Sequence, residues 1–139
     1  MADRIRDVMT PDPATCEPDD SIVEAARAMR DGDFGAVVVV ENDQVRGILT
    51  DRDIVVRAVA DGKDPGATEV GEVFTTDPTT LSPDDGIEDA VEAIRQADVR
   101  RLPVVDGTKI VGIVSIGDLA VARDERSALA DISAAPPNN

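Results

Sequence analysis

The stretch Gly47-Ile48-Leu49-Thr50-Asp51-Arg52-Asp53 recurs in kind as Gly112-Ile113-Val114-Ser115-Ile116-Gly117-Asp118. In both stretches a glycine and aliphatic residues precede a hydroxyl side chain, and an aspartate follows that hydroxyl three positions later. Aliphatic residues suit a strand, and Ser and Thr are favoured at the N-terminus of a helix. The chain is therefore expected to contain the same strand-to-helix turn twice.

The rest of the chain repeats at the same spacing of 65 residues. No gap is needed to align the copies from Val8 to Asp53. The matching segments are Thr10–Pro13 with Thr75–Pro78, Pro18–Ile22 with Pro83–Ile87, and Val39-Val40 with Val104-Val105. Such self-similarity indicates two copies of one structural unit.

Each copy predicts the element order β-α-β-β-α. Ile22, Ala25, Ala26 and Met29 recur at helical spacing and indicate one apolar face of a helix. An unbroken apolar run follows and indicates a strand that is buried on both faces. The other predicted elements are strands at Ala14–Cys16, Ala36–Val40, Gln44–Thr50, Thr79–Leu81, Arg101–Val105 and Lys109–Ser115, with helices at Asp51–Ala60, Asp85–Ala97 and Ile116–Ala128. The expected fold class is α/β, in the α+β sense of tandem β-α-β-β-α repeats.

Composition divides the chain further and narrows its function. The first copy is assigned to residues 1–62, a linker to 63–68, the second copy to 69–128 and a flexible C-terminal tail to 129–139. The 29 acidic and 14 basic residues give a net charge of −15, which disfavours nucleic acid and anionic membranes as partners. The first residues lack the apolar core of a signal peptide, so we expect a cytoplasmic protein.

Catalysis and metal binding are not expected. The chain has no histidine and a single cysteine, Cys16. Nucleophilic machinery of the Ser-His-Asp or Cys-His kind therefore has no base, and a zinc site has too few ligands. Cys16 is expected to pack as a small apolar residue.

The two glycine-to-aspartate stretches, in register with the repeat, resemble those of a CBS domain pair, also called a Bateman module, as in stand-alone bacterial and archaeal CBS proteins. The segment Val99–Asp106 is also typical of that family. The resemblance covers residues 3–124 and implies two repeats packed with pseudo-two-fold symmetry. It further implies two clefts between the repeats that take adenosine nucleotides such as AMP, ADP or ATP.

By the resemblance, the aspartate of each stretch holds ribose hydroxyls and the Ser or Thr reaches toward phosphate. The cleft expected to bind first is assigned Thr10, Ala14, Arg100, Arg101, Ser115 and Asp118. The weaker cleft is assigned Thr50, Asp53, Thr75 and Thr79. The two arginines distinguish the clefts, because Gly35 and Ala36 stand at the matching positions of the first copy.

Structural explanations stand beside these assignments. Thr50 and Asp51, and the matching positions of the second copy, are also explained as helix caps, and the two arginines as members of surface ion pairs. Asp53 and Asp118 lie inside their helices, where we expect no structural partner for the carboxylates. Gly47 and Gly112 are expected to permit close packing of the backbone.

Two functions remain open from the sequence. The first is a regulatory sensor that binds an adenine nucleotide, needs no obligatory cofactor and signals to a separate protein effector. The alternative is a stress-associated dimeric scaffold with empty or vestigial clefts. In both we expect a homodimer, joined through helix faces that each copy leaves partly uncovered: Ile22, Ala25 and Met29, and Ile87, Ala90, Val91 and Ile94.

Overall fold

The computed structural model describes residues 4–76 and 79–124, and these divide into two compact units. The first-repeat unit comprises residues 12–76 and 108–110. The second-repeat unit comprises residues 4–11, 79–107 and 111–124. Both units mix helices with a sheet, which confirms the predicted α+β class. The predicted tail and the end of the last predicted helix, at Ala128, lie outside the described residues.

The helices and the paired strands follow the predicted order, but the predicted strand at Thr79–Leu81 is reduced to a single bridge at Leu81, and short strands at Thr10–Pro11 and Thr75–Thr76 are added. In chain order the described elements are β1 (Thr10–Pro11), β2 (Thr15–Cys16), α1 (Ile22–Gly32), β3 (Ala36–Glu41), β4 (Gln44–Thr50), α2 (Asp51–Ile54), β5 (Thr75–Thr76), α3 (Ile87–Ala97), β6 (Arg101–Asp106), β7 (Lys109–Ser115) and α4 (Ile116–Asp124). Strands β4 and β7 have the predicted bounds. The helix expected to continue unchanged from Asp51 instead becomes a π-helix at Val55–Val59. Among the described residues, no helix has the length and apolar character that a bilayer crossing requires.

The first-repeat unit contains a sheet in the order β2-β3-β4-β5. Strand β2 pairs with β3 in parallel, and the remaining pairs are antiparallel. Asn42 and Asp43 join β3 to β4 with φ values of 53° and 62°. Two residues of left-handed backbone form the tight turn that suits twisted strands, which confirms the predicted hairpin.

The second-repeat unit contains a sheet in the order β1-β7-β6. Thr10 of β1 lies opposite Ile113 of β7. Leu81 makes a single parallel bridge with Val104, at the place where Cys16 pairs with Val39 in the other unit. The two units therefore share a strand plan as well as a sequence pattern.

The apolar helix faces that we expected to be partly uncovered are buried inside their own units. Ile22 is 1% exposed and Met29 is 7% exposed, and both join the core of the first-repeat unit. Ile87, Ala90 and Ile94 join the core of the second-repeat unit. The expectation that these faces remain open for a dimer contact is wrong, because the sheet of the same unit covers them. Ala26, which we placed on the apolar face, is exposed.

Each unit includes a segment that precedes the other repeat in the sequence, which we call its leading segment. The leading segment of the first-repeat unit contains Val70, and that of the second-repeat unit contains Ile5. In the first-repeat unit the Val70 N–H donates to the Asp20 carbonyl oxygen at 2.7 Å. In the second-repeat unit the Ile5 N–H donates to the Asp85 carbonyl oxygen at 2.9 Å. Ile5 and Val70 are both fully buried. The leading segments are therefore part of the two cores.

The glycines of the repeated stretch allow these segments to approach. A Cβ atom on Gly47 would overlap the carbonyl oxygen of Thr75 on β5. A Cβ atom on Gly112 would overlap the side chain of Met9 just before β1. The expected close-packing role of both glycines is confirmed.

We expect Gly47→Ala to destabilise the protein by about 2 kcal/mol, because β5 must move away from the new methyl group. Gly66→Ala is the matched control, since its Cβ would meet only Asp64 Oδ1 at 3.6 Å. The control is expected to change stability by less than about 0.5 kcal/mol. Urea unfolding followed by circular dichroism measures both variants, and equal stabilities would contradict the close-approach argument.

Cys16 packs against the core of the first-repeat unit, as expected of a small apolar residue. Burial, with a smaller contribution from Asp20, raises the pKa of its thiol to about 12. Because the folded pKa lies above the unfolded value of about 8.5, this thiol contributes stability below pH 8.5 that is lost as the pH rises toward 12.

We therefore expect Cys16 to resist alkylation, since the thiolate is the reactive form. At pH 8 iodoacetamide should modify the folded protein roughly tenfold or more slowly than the urea-unfolded chain. Mass spectrometry over time measures both rates. Equal rates in the folded and unfolded protein would show that burial does not protect the thiol.

Candidate functional site

The two strand-to-helix turns have the same hydrogen-bond geometry. In the first-repeat unit the Asp53 N–H donates to Thr50 Oγ1 at 3.1 Å, and the Thr50 N–H donates to Asp53 Oδ2 at 3.0 Å. In the second-repeat unit the Asp118 N–H donates to Ser115 Oγ at 3.1 Å, and the Ser115 N–H donates to Asp118 Oδ2 at 2.9 Å. Each turn is a reciprocal cap that satisfies two backbone N–H groups at a helix start.

The expectation that Asp53 and Asp118 have no structural partner is therefore wrong. An aspartate at the third helical position reaches back to the N–H of the capping residue, which position inside the helix alone did not reveal. The cap uses one carboxylate oxygen, Oδ2, in each aspartate. What the other oxygen meets decides whether the carboxylate has capacity for a ligand.

In the first-repeat unit the second oxygen of Asp53 is already engaged. The Thr75 hydroxyl donates to Asp53 Oδ1 at 3.3 Å, and Arg57 Nε lies 3.9 Å from the same oxygen. The side chain of Asp53 is only 12% exposed. Arg57 was not among the predicted site residues, although the spacing of Asp53 and Arg57 by four positions on a helix was a signal for this ion pair.

In the second-repeat unit the second oxygen of Asp118, here called the open oxygen, has no hydrogen-bond or ion-pair partner among the residues that the structure describes. Within residues 4–76 and 79–124, the hydrogen bonds of Asp118 outside its helix are the two of its cap. Ala122 takes the place of Arg57 and is buried at 2% exposure. Thr10 lies on β1 beside β7, in the place that Thr75 has in the other unit, but is exposed.

Arg100 and Arg101 lie at the start of β6, next to the Ser115 turn. The Ile116 N–H donates to the Arg100 carbonyl oxygen at 2.9 Å, just as the Asp51 N–H donates to the Gly35 carbonyl oxygen at 3.0 Å. Arg100 is exposed and Arg101 is half-buried. Neither guanidinium takes part in an ion pair within the part of the chain that the structure describes. Among the described residues, the structure therefore does not support the alternative that Arg100 and Arg101 serve as members of surface ion pairs.

Charge distinguishes the two turns. A Cβ on Gly35 would lie 3.0 Å from Asp51 Oδ2, so a carboxylate occupies the space beside β3. At the matching positions the second-repeat unit has Arg100 and Ile116. In the first-repeat turn the charge of Asp51 is offset by that of Arg52, whereas the second-repeat turn has the positive charge of Arg100 beside the uncharged Ile116. An anion is favoured at the second.

The remaining predicted site residues are Ala14 and Thr79. Ala14 lies in the first-repeat unit, where its carbonyl oxygen accepts from the Val38 N–H at 2.9 Å. Thr79 lies in the second-repeat unit. Each belongs to a different unit from the aspartate with which the resemblance grouped it. Their part in a ligand site stays a prediction.

The fold and the paired turns define a tandem-repeat α+β protein of the CBS-pair type. A family model for the CBS domain matches residues 5–59 and again residues 70–125. The chain therefore belongs to the CBS-domain family.

The relatives support the same assignment. The CBS domain-containing protein YhcV of Bacillus subtilis is 45% identical over 117 residues, which cover 84% of this chain and 83% of YhcV. A crystal structure of Hypoxic Response Protein I with two coordinated zinc ions is 31% identical, with a TM-score of 0.74, and the match covers 84% of this chain and 96% of that one.

A third similarity concerns the fold alone. The CBS domain pair of protein MJ0100, in complex with 5′-methylthioadenosine and S-adenosyl-L-methionine, is 24% identical with a TM-score of 0.77. The match covers 89% of this chain and 98% of that chain. CBS-pair proteins as a class are regulatory.

Proposed function

We propose that this chain is a regulatory protein that binds an adenine nucleotide beside Asp118 and signals to a separate protein effector. The observation that carries the proposal is the combination of an open carboxylate oxygen on Asp118 with two guanidinium groups, Arg100 and Arg101, that have no ion-pair partner among the described residues. The carboxylate oxygen can accept hydrogen bonds from a ribose, and the guanidinium groups can donate hydrogen bonds to a phosphate.

The chemistry of the turn matches the two ends of a nucleotide. A carboxylate has about four acceptor positions, and the cap of Asp118 uses one of them. The remaining positions are enough to accept hydrogen bonds from both hydroxyls of a ribose. A phosphate near the start of α4 would meet the Ser115 hydroxyl, the positive end of the helix and bidentate arginine donors. In a chain of net charge −15, local arginine is needed to offset the repulsion of an anion.

The fold of protein MJ0100 supports the adenosyl part of this proposal, because a pair of the same architecture holds two adenosyl compounds. The phosphate part is specific to this chain and rests on Arg100 and Arg101. We therefore expect AMP, ADP or ATP to bind more tightly than the uncharged 5′-methylthioadenosine. The proposed role is binding without catalysis, since the chain has no histidine and its one thiol has a raised pKa.

We expect Arg101→Ala to weaken AMP binding by roughly 1.5–3 kcal/mol, the contribution of a hydrogen bond to a charged group. Isothermal titration calorimetry measures this as a rise in Kd of about 10- to 150-fold. Arg95→Ala is the matched control, because it removes the same charge from the same unit at a residue whose ion pair among the described residues is with Glu92, at 3.7 Å. Added salt should weaken the wild-type affinity.

Asp118→Asn tests the ribose contact in the same titration. The amide keeps an oxygen for the Ser115 N–H while replacing the open acceptor with a donor, so the fold should persist while AMP binding is lost. Equal affinities for wild type, Arg101→Ala and Asp118→Asn would contradict the proposed site. Failure of AMP, ADP, ATP and 5′-methylthioadenosine to bind wild type would favour the scaffold function.

The homodimer stays a prediction, now through a different surface. Val55 and Val59 of the π-helix are each 57% exposed, and Val56 is 46% exposed. The neighbouring groove between α1 and α2 carries Arg27 and Arg30 on its wall. A second copy of this acidic chain can cover the valines and place carboxylates against these arginines.

Light scattering at micromolar concentration should give twice the 14.6 kDa of the chain. Val55→Asp combined with Val59→Asp should return the monomer mass, because burial of two carboxylates in an apolar contact is unfavourable. Thr108→Asp, in the exposed turn between β6 and β7, is the control and should remain dimeric. A monomeric wild type would overturn the prediction.

A further inference from the structure

We infer that Arg57 is an internal latch that occupies the Asp53 carboxylate and keeps a nucleoside from binding there, so that each chain takes one nucleotide. The inference rests on the proposed function, because it assumes that the aspartate of an open turn binds ribose. It concerns only the first-repeat unit, in which Asp53, Arg57 and Thr75 meet.

The acceptor positions of the two carboxylates carry the argument. Asp53 accepts from the Thr50 N–H on Oδ2, while Oδ1 accepts from the Thr75 hydroxyl and faces the Arg57 guanidinium. Two of about four acceptor positions are used, and the Arg57 guanidinium, 3.9 Å from Oδ1, competes with a ribose hydroxyl for that oxygen. Asp118 uses one acceptor position for the Ser115 N–H of its cap, and about three acceptor positions remain. The two turns are alike in backbone geometry and differ in acceptor capacity.

The π-helix explains how an arginine comes to lie over this carboxylate. The Ala60 N–H donates to the Val55 carbonyl oxygen at 2.8 Å, five residues back, so this turn holds one residue more than an α-helical turn. In α4 the buried alanine is Ala122, the counterpart of Arg57. In the first repeat the buried alanine is instead Ala58, one position later. The extra residue therefore moves position 57 out of the core and frees it to hold a charged side chain.

A second contact orients the arginine. Arg57 Nη1 donates to the Val73 carbonyl oxygen at 3.4 Å, in the segment that leads into β5. The guanidinium thus spans from Val73 to Asp53, beside the hydroxyl of Thr75. The side chain of Arg57 remains 51% exposed, so the ion pair contributes little to stability and its removal should leave the fold intact.

The experiment removes the latch in a chain whose other site is already disabled. Arg57→Ala places at position 57 the residue that the second repeat has at Ala122. We expect titration calorimetry with uncharged 5′-methylthioadenosine to give one site per chain for wild type and two for Arg57→Ala. In the Asp118→Asn background we expect no site, and in Arg57→Ala with Asp118→Asn we expect one.

Arg52→Ala is the matched control, because it removes an equal charge from the same helix without touching Asp53, and its stoichiometry should stay at one. Because 5′-methylthioadenosine is uncharged, a gain of binding in Arg57→Ala cannot come from the change in net charge. Two sites in wild type, or an equal number in wild type and Arg57→Ala, would overturn the latch while leaving the proposed function standing as long as AMP binds to wild type. Absence of AMP binding in both wild type and Arg57→Ala would overturn the proposed function itself.

Discussion

A carboxylate has two oxygens, and in both repeats of this chain one of them is committed to the backbone N–H of a capping residue. That reciprocal bond fixes the angle at which a strand passes into a helix, because it satisfies N–H groups that have no partner within the helix. It also holds the carboxylate in place before any ligand arrives. The remaining oxygen is therefore presented in a defined direction, and its neighbours determine what the repeat can bind.

Those neighbours differ between the repeats, whereas the capped strand-to-helix turn itself is the same in both. Arg57 faces one aspartate, and the buried Ala122 has the matching position beside the other. Gly35 and Asp51 flank one turn, while Arg100 and Ile116 flank the other. A duplicated scaffold can thus retain its packing in both copies and specialise one of them through a few side chains at the strand-to-helix turn.

The leading segments tie the repeats of the sequence to the compact units of the fold. About 60 residues give a marginal core, and each unit gains a buried aliphatic residue, Ile5 or Val70, from the segment that precedes the other repeat. The glycine of each repeated stretch lacks the side chain that would block β1 or β5 from approaching. Glycine at this position therefore permits the strand pairing and, with it, the packing of the leading segment into each core.

The sequence by itself determined the repeat, the order of the elements and the bounds of β4 and β7, because apolar periodicity and cap residues act locally along the chain. It also singled out Asp53 and Asp118, although it could not assign their caps. Only the tertiary structure decided that the faces of α1 and α3 are covered within their own units, since coverage depends on which sheet packs there. For Asp53 the outcome is divided: its ion pair with Arg57 follows a four-residue spacing that is visible in the sequence, whereas its hydrogen bond with Thr75 depends on where β5 packs, 22 residues further along the chain.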